Sequence, residues 1–341
     1  MKEARFWESA GGEGRVHCFL CPHDCQIAPG KVGVCGQREN RDGKLYSRIY
    51  ARATTAALDP IEKKPLYHFM PGSSVLSLGT VGCNFKCPFC QNWSISQVEA
   101  ETEELLPEAA VGLALRKRAA GIAYTYNEPM IWLEYVIDTA RLAREKGLAN
   151  VLVTNGYVNE APLAEALPFI DAMNIDVKSF DEQFYKDLCK GTLAPVIARA
   201  EQARAAGVHV EITNLVIPGY NDRSALYEEL AGWMAEKLGP RTPLHLSAHF
   251  PRYRLKAPAT GLQTLLAARE AALKHLRHVY LGNVNVTEGA DTRCGECDAT
   301  LVKRSGYEID SSGLDTEGRC GSCGIDGPLV LRPAWSGKAE D

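Results

Sequence analysis

The sequence has little of what marks a secreted or membrane-bound protein. Its 341 residues hold 12 cysteines, far below the ~8–10% of a small disulfide scaffold, and its uncharged runs are too short and too polar for a membrane span. Residues 1–15 lack the apolar stretch of a signal peptide. The net charge is only −4, so no strong field attracts nucleic acid or an anionic membrane surface. We therefore expect a cytoplasmic protein without a membrane contact, and a nucleic-acid partner is not favoured.

The cysteines are few, but all except Cys189 fall into three groups with close internal spacing. The groups are Cys18, Cys21, Cys25 and Cys35; Cys83, Cys87 and Cys90; and Cys294, Cys297, Cys320 and Cys323. Spacings of two or three residues suit thiolates that converge on a metal, whereas disulfides usually join distant positions. The sequence therefore predicts several metal sites in a reducing compartment.

Short apolar runs rich in β-formers alternate with amphipathic stretches between residues 74 and 282. The predicted strands are Val75–Leu78, Ile122–Tyr126, Val151–Thr154, Ala172–Val177, His209–Ile217, Leu244–Ala248 and Val279–Leu281. The predicted helices Glu128–Lys146, Pro195–Ala206 and Ser224–Leu238 each end at a glycine, a common helix terminator. This alternation predicts an α/β fold, a partial or complete parallel (β/α) barrel with its chemistry at the carboxyl ends of the strands. A doubly wound open sheet is the alternative.

The same pattern suggests a division of the chain into four parts. Residues 1–70 form an N-terminal four-cysteine region, and residues 71–285 form the barrel. Residues 286–335 form a zinc-ribbon-like module with the last four cysteines, and residues 336–341 are a polar tail.

The central cysteine group directly follows the first predicted strand of the barrel. Cys83, Cys87 and Cys90 have the spacing C-x3-C-x2-C. Three thiolates suit a [4Fe–4S] cluster and leave one iron without a protein ligand, and an open iron can bind a small molecule directly. A zinc site completed by a histidine from elsewhere is the alternative, but the position at a strand end favours a catalytic cluster.

With the aromatic Phe89 just before its last cysteine, this motif resembles that of the radical S-adenosylmethionine (SAM) superfamily. The resemblance implies that Cys83, Cys87 and Cys90 hold the cluster and that the open iron chelates SAM. It also implies the reaction: reductive cleavage of SAM gives a 5′-deoxyadenosyl radical, which abstracts a hydrogen atom from the substrate. In such enzymes the cofactors carry the difficult chemistry, and the protein binds and orients them.

Further matches fall at successive predicted strand ends. Thr125–Pro129 stands where the family has Gly-Gly-Glu, with Tyr126 and Asn127 in place of the glycines. Thr154–Gly156 resembles the Thr-Asn-Gly of glycyl-radical-enzyme activases, and Asp176–Lys178 resembles their Asp-x-Lys. The residues that the resemblance implies for SAM binding are Phe89, Asn127, Glu128, Thr154, Asn155, Asp176 and Lys178. His249 also follows a predicted strand and is either a further contact with SAM or substrate or a core histidine.

One resemblance covers nearly the whole chain. Four segments, 18–25, 33–40, 59–66 and 79–85, resemble the radical SAM member of the AmmeMemoRadiSam system, a family similar to the pyruvate formate-lyase activating enzyme. The resemblance implies a flavodoxin- or ferredoxin-like electron donor. It also implies AMMECR-type and Memo-type proteins, or a glycyl-radical protein, as partners. It leaves open the physiological substrate, the oligomeric state and whether SAM is consumed or regenerated.

The two flanking cysteine groups each offer four ligands. The C-terminal pair of C-x2-C motifs, Cys294/Cys297 and Cys320/Cys323, has the spacing of a zinc ribbon, with rubredoxin-like iron as the alternative. The N-terminal group, C-x2-C-x3-C-x9-C from Cys18 to Cys35, suits either zinc or an auxiliary iron–sulfur cluster. His17 and His23 lie beside these thiols as substitute ligands or as neighbours.

Two other functions are compatible with parts of the sequence. One is a radical SAM enzyme that modifies RNA, since zinc ribbons often accompany nucleic-acid enzymes, but the chain has no basic stripe with interleaved aromatic residues. A non-catalytic zinc-binding adaptor would explain the cysteines alone. It would not explain why Glu128, Asp176 and Lys178 follow strand ends around an open iron.

Overall fold

A sheet of eight strands forms the centre of the computed structural model, which describes residues 1–337. Residues 338–341, most of the predicted polar tail 336–341, lie outside the described residues. We number the strands of this sheet β1 (Thr55–Pro60), β2 (Ser74–Gly79), β3 (Gly121–Tyr124), β4 (Ala149–Thr154), β5 (Ala172–Asp176), β6 (His209–Val216), β7 (Leu244–Ala248) and β8 (Val279–Gly282).

The strands follow one another across the sheet in sequence order. Neighbouring strands from β2 to β8 are parallel, and β1 pairs antiparallel with β2. The predicted parallel array is therefore confirmed, and each predicted strand lies within one or two residues of an observed one. A doubly wound sheet reverses its strand order at a switch point, which this sheet does not do. Strands β1 and β8 are its two edges, so the barrel is partial.

Helices connect the parallel strands. They are Trp93–Ser96, Pro107–Arg116, Leu133–Glu145, Glu160–Ala166, Glu182–Phe184, Leu193–Ala205, Ser224–Lys237 and Leu262–Leu273, with 3₁₀ turns at Ile61–Lys63, Pro129–Trp132, Leu167–Phe169 and Ala334–Gly337 and a π turn at Tyr185–Cys189. The predicted helices Pro195–Ala206 and Ser224–Leu238 are confirmed within two residues, whereas the predicted Glu128–Lys146 begins as the 3₁₀ turn Pro129–Trp132 and becomes α-helical at Leu133. Gly147, Gly207 and Gly239 after them all have positive φ. None of the helices within residues 1–337 combines the length and the apolar character needed to cross a bilayer.

The sheet is recognisable in the sequence because its central strands are buried on both faces. All four residues of β3 are buried, and so is nearly all of β4, as expected for parallel strands covered by helices. Inside the barrel, the small residues Ala123, Val151 and Ala172 pack against Ile61 and Phe69. The segment after β1 therefore fills the end of the barrel that faces the amino ends of the parallel strands.

Smaller antiparallel sheets lie at both ends of the chain. They are formed by Trp7–Ser9, Val16–Cys18 and Cys25–Ile27; by Lys2–Glu3, Lys44–Ser47 and Arg38–Arg41; by Arg52–Ala53 with Glu103–Glu104; and by Thr292–Arg293, Thr300–Ser305 and Glu308–Asp310. Strand β1 belongs to the central sheet although it comes from the first 70 residues. The division of the chain into domains stays a prediction.

A buried carboxylate organises the amino-terminal end of the barrel. Glu211 on β6 is fully buried and accepts the backbone N–H groups of Tyr67 at 3.0 Å and His68 at 2.8 Å. It also hydrogen-bonds with the ring nitrogens of His209 at 2.9 Å and His245 at 2.6 Å. Burial alone would raise the pKa of Glu211, but these histidines hold it well below its ordinary value of 4.5. All four acceptor positions of the carboxylate are therefore occupied.

The C-terminal module closes the same end of the barrel. Arg304 donates to the backbone oxygen of Tyr67 at 2.7 Å and to the hydroxyl of Thr292 at 2.8 Å, and its guanidinium lies 4.3 Å from the centre of the Tyr67 ring. Val330 exchanges backbone hydrogen bonds with His68 and Met70, both at 2.7 Å. The module is thus attached to the segment that Glu211 holds in place.

The substitution Glu211→Gln tests this arrangement. It removes a buried charge that four donors surround, so we expect the free energy of unfolding, measured by urea denaturation, to fall by about 3 kcal/mol. Because the native pKa of Glu211 lies below 4.5, its carboxylate stabilises the folded state fully above pH 4.5. This stabilisation is lost as the pH falls through the native pKa. The difference between wild type and variant should therefore narrow below about pH 4.5.

The matched control is Glu236→Gln, because the side chain of Glu236 is 70% exposed. That variant should change the free energy of unfolding by less than about 0.5 kcal/mol. Equal, small effects of both substitutions would contradict the importance of the buried carboxylate.

Candidate active site and metal-binding groups

A cavity of about 410 Å³ opens at the carboxyl ends of strands β2 to β8. Its walls include the three cysteines of the central motif and every residue that the resemblance implies for SAM binding except His249. They are Cys83, Cys87, Phe89, Cys90, Asn127, Glu128, Thr154, Asn155, Asp176 and Lys178. The structure therefore brings these side chains together at the strand ends, and their roles stay predictions.

Later parts of the chain fix the loop that carries the three cysteines. The backbone N–H of Lys86 donates to the oxygen of Cys189 at 2.9 Å. The oxygen of Pro88 accepts the N–H groups of both Arg254 and Leu255, each at 2.9 Å. The fold itself therefore holds this loop, in addition to any metal that the thiols bind.

The N-terminal region packs against the start of the same loop at Gly82. This residue has φ +92°, and a Cβ there would lie 2.6 Å from Cγ of Gln37 and 2.9 Å from the backbone oxygen of Cys35. Both the backbone conformation and the lack of space require glycine at this position. The residue before Cys83 is thus in direct contact with the last residue of the N-terminal cysteine group.

Glu128 joins the ends of β3 and β4. Its carboxylate accepts the N–H of Met130 at 2.9 Å, the hydroxyl of Thr154 at 2.7 Å and the N–H of Asn155 at 2.8 Å. Burial raises the pKa of Glu128 above its ordinary value of 4.5, although these three donors oppose the shift. A carboxylate has about four acceptor positions, so one is left for a ligand.

Two asparagines predicted to bind SAM have their amides directed at the cysteine loop. Asn127 accepts the N–H of Thr80 at 3.1 Å and donates to the oxygen of Gly82 at 2.7 Å. The amide of Asn155 lies 2.9 Å from Oδ1 of Asn84 and 3.6 Å from Sγ of Cys83. These side chains therefore position the loop, a function that spacing along the sequence does not reveal.

Asp176 and Lys178 form an ion pair beside the cysteines. Burial lowers the pKa of Lys178, but the carboxylate of Asp176 and the thiol of Cys87 raise it above its ordinary range. Lys178 therefore stays a cation, within electrostatic range of both Cys87 and Cys90. Oδ1 of Asp176 is buried and has no hydrogen-bond partner within the described chain, so the pair has capacity for a ligand.

The sequence analysis missed a polar group on the inner wall of the cavity. Tyr126 has φ +73°, a left-handed conformation that explains why the family has glycine at this place. Its hydroxyl donates to Asp59, and the ammonium of Lys64 lies 4.5 Å from the centre of its ring and 2.8 Å from Asp59. Asp59 and Lys64 lie in segment 59–66, one of the four segments that resemble the AmmeMemoRadiSam family. That resemblance was the sequence signal that could have identified this polar group.

His249 does not line the cavity. It is completely buried after β7, where its backbone N–H donates to the hydroxyl of Thr260 at 2.8 Å and its backbone oxygen accepts from the N–H of Thr260 at 2.9 Å. This placement agrees with the alternative of a core histidine.

The C-terminal cysteines converge as their spacing predicts. The Sγ atoms of Cys294, Cys297, Cys320 and Cys323 all lie within 4.8 Å of one another. Cys294 and Cys323 are 3.6 Å apart, and so are Cys297 and Cys320. Four thiolates at this separation suit a single tetrahedral metal ion.

The N-terminal cysteines also come together, in the small sheet and loop that precede β1. Cys18 is buried, and Cys21, Cys25 and Cys35 are half-buried. His17 and His23, which the sequence places beside them, hydrogen-bond with other groups.

Comparison with known proteins identifies the class of this site. Residues 77–230 match the sequence profile of the Radical SAM superfamily. The chain is 44% identical to the uncharacterized protein MJ0808 of Methanocaldococcus jannaschii over 337 residues, which cover 97% of this chain and 100% of that protein. It therefore belongs to the radical SAM superfamily and is an enzyme of this class, so the alternative of a non-catalytic adaptor is not retained.

Within the superfamily the chain resembles the activating enzymes. It is 23% identical to the benzylsuccinate synthase activating enzyme of Thauera aromatica, over 68% of this chain and 72% of that protein. It is 24% identical to the pyruvate formate-lyase-activating enzyme of Clostridium pasteurianum, over 44% of this chain and 65% of that protein. A radical SAM methyltransferase from Sphaerobacter thermophilus aligns with a TM-score of 0.49 at 17% identity, over 64% of this chain and 70% of that chain.

The position of Asn127 predicts a measurable effect on the cysteine loop. In Asn127→Ala the N–H of Thr80 and the oxygen of Gly82 lose their partner, which costs about 1–3 kcal/mol. We expect iron bound by the loop to be lost to a chelator about tenfold faster than from the wild type. The matched control is Asn283→Ala, because Asn283 lines the cavity but bonds to Ala248, at 3.2 Å. Equal rates of iron loss from both variants would contradict the positioning role.

Proposed function

We propose that the cavity at the carboxyl ends of β2 to β8 binds a [4Fe–4S] cluster and SAM, and that the enzyme abstracts hydrogen from a protein, as an activase does, or from a small molecule. One observation carries this proposal. The three thiols of the motif and the Asp176–Lys178 pair line the same cavity, at the ends of neighbouring parallel strands.

The ligand set fits a cluster with an open iron. Cys83, Cys87 and Cys90 supply three thiolates, and among the described residues that line the cavity there is no fourth cysteine and no histidine. An iron without a protein ligand is what the chelation of a small molecule requires. The hydroxyl of Ser96, 3.1 Å from Sγ of Cys90, is placed to donate to a thiolate.

The remaining residues would bind and orient SAM. Reductive cleavage of bound SAM supplies a 5′-deoxyadenosyl radical. Lys178 offers a permanent cation to the SAM carboxylate, and the free acceptor position on Glu128 is available to the SAM amino group. Phe89, which is buried against Phe184, supplies an apolar wall that excludes water from the reacting atoms.

The relatives favour a protein substrate. Several are named as activating enzymes, among them the putative glycyl-radical enzyme activating enzyme MJ1632 of Methanocaldococcus jannaschii, 25% identical over 61% of this chain and 80% of that protein. By analogy this chain would act on a glycyl-radical-type protein and receive electrons from a flavodoxin- or ferredoxin-like donor. Membership of the AmmeMemoRadiSam system, with AMMECR-type and Memo-type partners, is part of the same proposal.

For the C-terminal cysteines we propose a structural zinc ion. The sulfur–sulfur separations of 3.6 Å are close to the ~3.8 Å edge of a tetrahedron with zinc–sulfur bonds of ~2.3 Å. Four protein ligands leave no open position, so this ion would stabilise the module rather than take part in the reaction.

Anaerobic reconstitution tests the proposed reaction. The purified chain with a strong reductant and SAM should release 5′-deoxyadenosine, measured by chromatography. Cys87→Ala should reduce the release at least about a hundredfold, because the cluster loses one of its three protein ligands. Cys297→Ser, in the C-terminal module, should leave it unchanged. No release from reconstituted wild type, or undiminished release from Cys87→Ala, would refute the proposal.

The cation beside the cysteines allows a separate test by equilibrium binding of SAM. Lys178→Met removes a charge-assisted hydrogen bond to the carboxylate, worth about 1.5–3 kcal/mol, so the Kd should rise about tenfold to a hundredfold. Lys186→Met is the control, because Lys186 lies 3.7 Å from Glu182 with its side chain 56% exposed. An unchanged Kd for Lys178→Met would mean that Lys178 does not contact SAM.

A further inference from the structure

The four N-terminal cysteines lie near one another. Two short antiparallel strands place Cys18 opposite Cys25, and Cys21 lies in the turn between them. Cys35 arrives from the loop that begins at Gly33, where a Cβ would lie 3.5 Å from Sγ of Cys25. The thiol of Cys21 is within electrostatic range of Cys18 and Cys35, and that of Cys25 is within range of Cys35.

The separation of the sulfur atoms differs between a single ion and a cluster. Around one zinc ion the four sulfurs are about 3.8 Å apart, whereas in a [4Fe–4S] cluster each cysteine binds a different iron and the sulfurs lie much farther apart. Within residues 1–337, the C-terminal cysteines are the one set of three or more potential ligands whose atoms all lie within 4.8 Å of one another. No three sulfurs of the N-terminal group therefore lie that close to one another, and the same is true of the three sulfurs of the central motif.

The neighbouring histidines hydrogen-bond with other groups. Nδ1 of His17 lies 3.0 Å from Glu8 and its Nε2 lies 2.6 Å from Asp24. Nε2 of His23 hydrogen-bonds with the backbone oxygen of Asn84 at 2.7 Å. Both ring nitrogens of His17 and one of His23 therefore have partners, and the four thiols supply a complete ligand set without either ring.

A buried ion pair, Arg38–Glu134, lies beside these thiols. Arg38 is 1% exposed and interacts electrostatically with Cys18 and Cys35. Its two terminal nitrogens donate to Glu134 and to the backbone oxygen of Arg5, both at 2.6 Å, while its Nε is buried and has no partner within the described chain. Hydrogen bonds to cluster sulfurs are a standard influence on iron–sulfur centres, and this N–H is available for one.

The group also touches the loop of the central motif. The side chain of Asn84 hydrogen-bonds with the thiol of Cys21, and its Oδ1 lies 3.9 Å from Sγ of Cys83. The contact of Cys35 with Gly82 is a second link. The two cysteine groups are therefore linked through Asn84 and through Gly82.

From these observations we propose that Cys18, Cys21, Cys25 and Cys35 bind a second [4Fe–4S] cluster. Four thiolates occupy all four irons, so this cluster has no open position and does not bind SAM. The proposal does not depend on the reaction at the central site, because neither its ligands nor its sulfur spacing involves SAM.

The test uses the full-length chain in which Cys83, Cys87 and Cys90 are all replaced by alanine. After anaerobic reconstitution it should retain about four irons, the number in one [4Fe–4S] cluster, together with about one zinc. Its Mössbauer spectrum should be that of a [4Fe–4S] cluster, and its electron paramagnetic resonance signal after reduction should not change when SAM is added. Adding Cys18→Ser and Cys25→Ser should remove this iron. Cys297→Ser, the matched control in the C-terminal module, should lower the zinc and leave the iron.

A triple-alanine chain that binds about two zincs and no iron would overturn the proposal. A chain that binds about two irons, or whose electron paramagnetic resonance signal changes when SAM is added, would also overturn it. If that chain does not fold, the wild type decides the question, because two clusters require about eight irons and one cluster about four. Absence of 5′-deoxyadenosine release from the reconstituted wild type would refute the reaction proposed for the central site without changing the iron count of the N-terminal group.

Discussion

The carboxylate of Glu128 is the acceptor on which the geometry of the site depends. It binds donors from the turn after β3 and from the end of β4, so it fixes two neighbouring strand ends against each other. Asn155, held in this way, then supports Asn84 and Cys83 through its amide. Burying a carboxylate costs free energy unless it is hydrogen-bonded. For Glu128 the hydrogen bonds that offset this cost belong to the network that positions the cysteine loop.

The two ends of the barrel use buried polar groups in opposite ways. At the amino ends of the strands every acceptor position of Glu211 is occupied, and Arg304 and Val330 attach the C-terminal module to the same segment. At the carboxyl ends Glu128 keeps an acceptor position and Asp176 keeps a buried oxygen without a partner in the described chain. A fully satisfied network gives rigidity, whereas incompletely satisfied groups mark a binding site.

The sequence was sufficient to predict the parallel strands, because strands such as β3 are buried on both faces and therefore consist of continuous apolar residues. It was insufficient for β1, whose half-exposed residues alternate and end at Asp59 and Pro60. The resemblance also named Asn127, which lines the cavity, but its partners Thr80 and Gly82 are about 45 residues away in the sequence. Partners at that separation are set by the fold, so no local pattern identifies them.

The three cysteine groups differ in two independent properties, the number of thiolates and their separation. The number decides whether the bound group keeps an open position, and it distinguishes the central motif from the two outer groups. The separation decides whether one ion or several fit, and it distinguishes the C-terminal group from the other two. Sequence spacing reports the first property alone, because C-x2-C pairs occur in zinc and iron–sulfur sites alike. The separation of the thiolates arises from tertiary structure. In the N-terminal group it depends on the strand pairing that places Cys18 opposite Cys25 and on the loop that brings Cys35 near them.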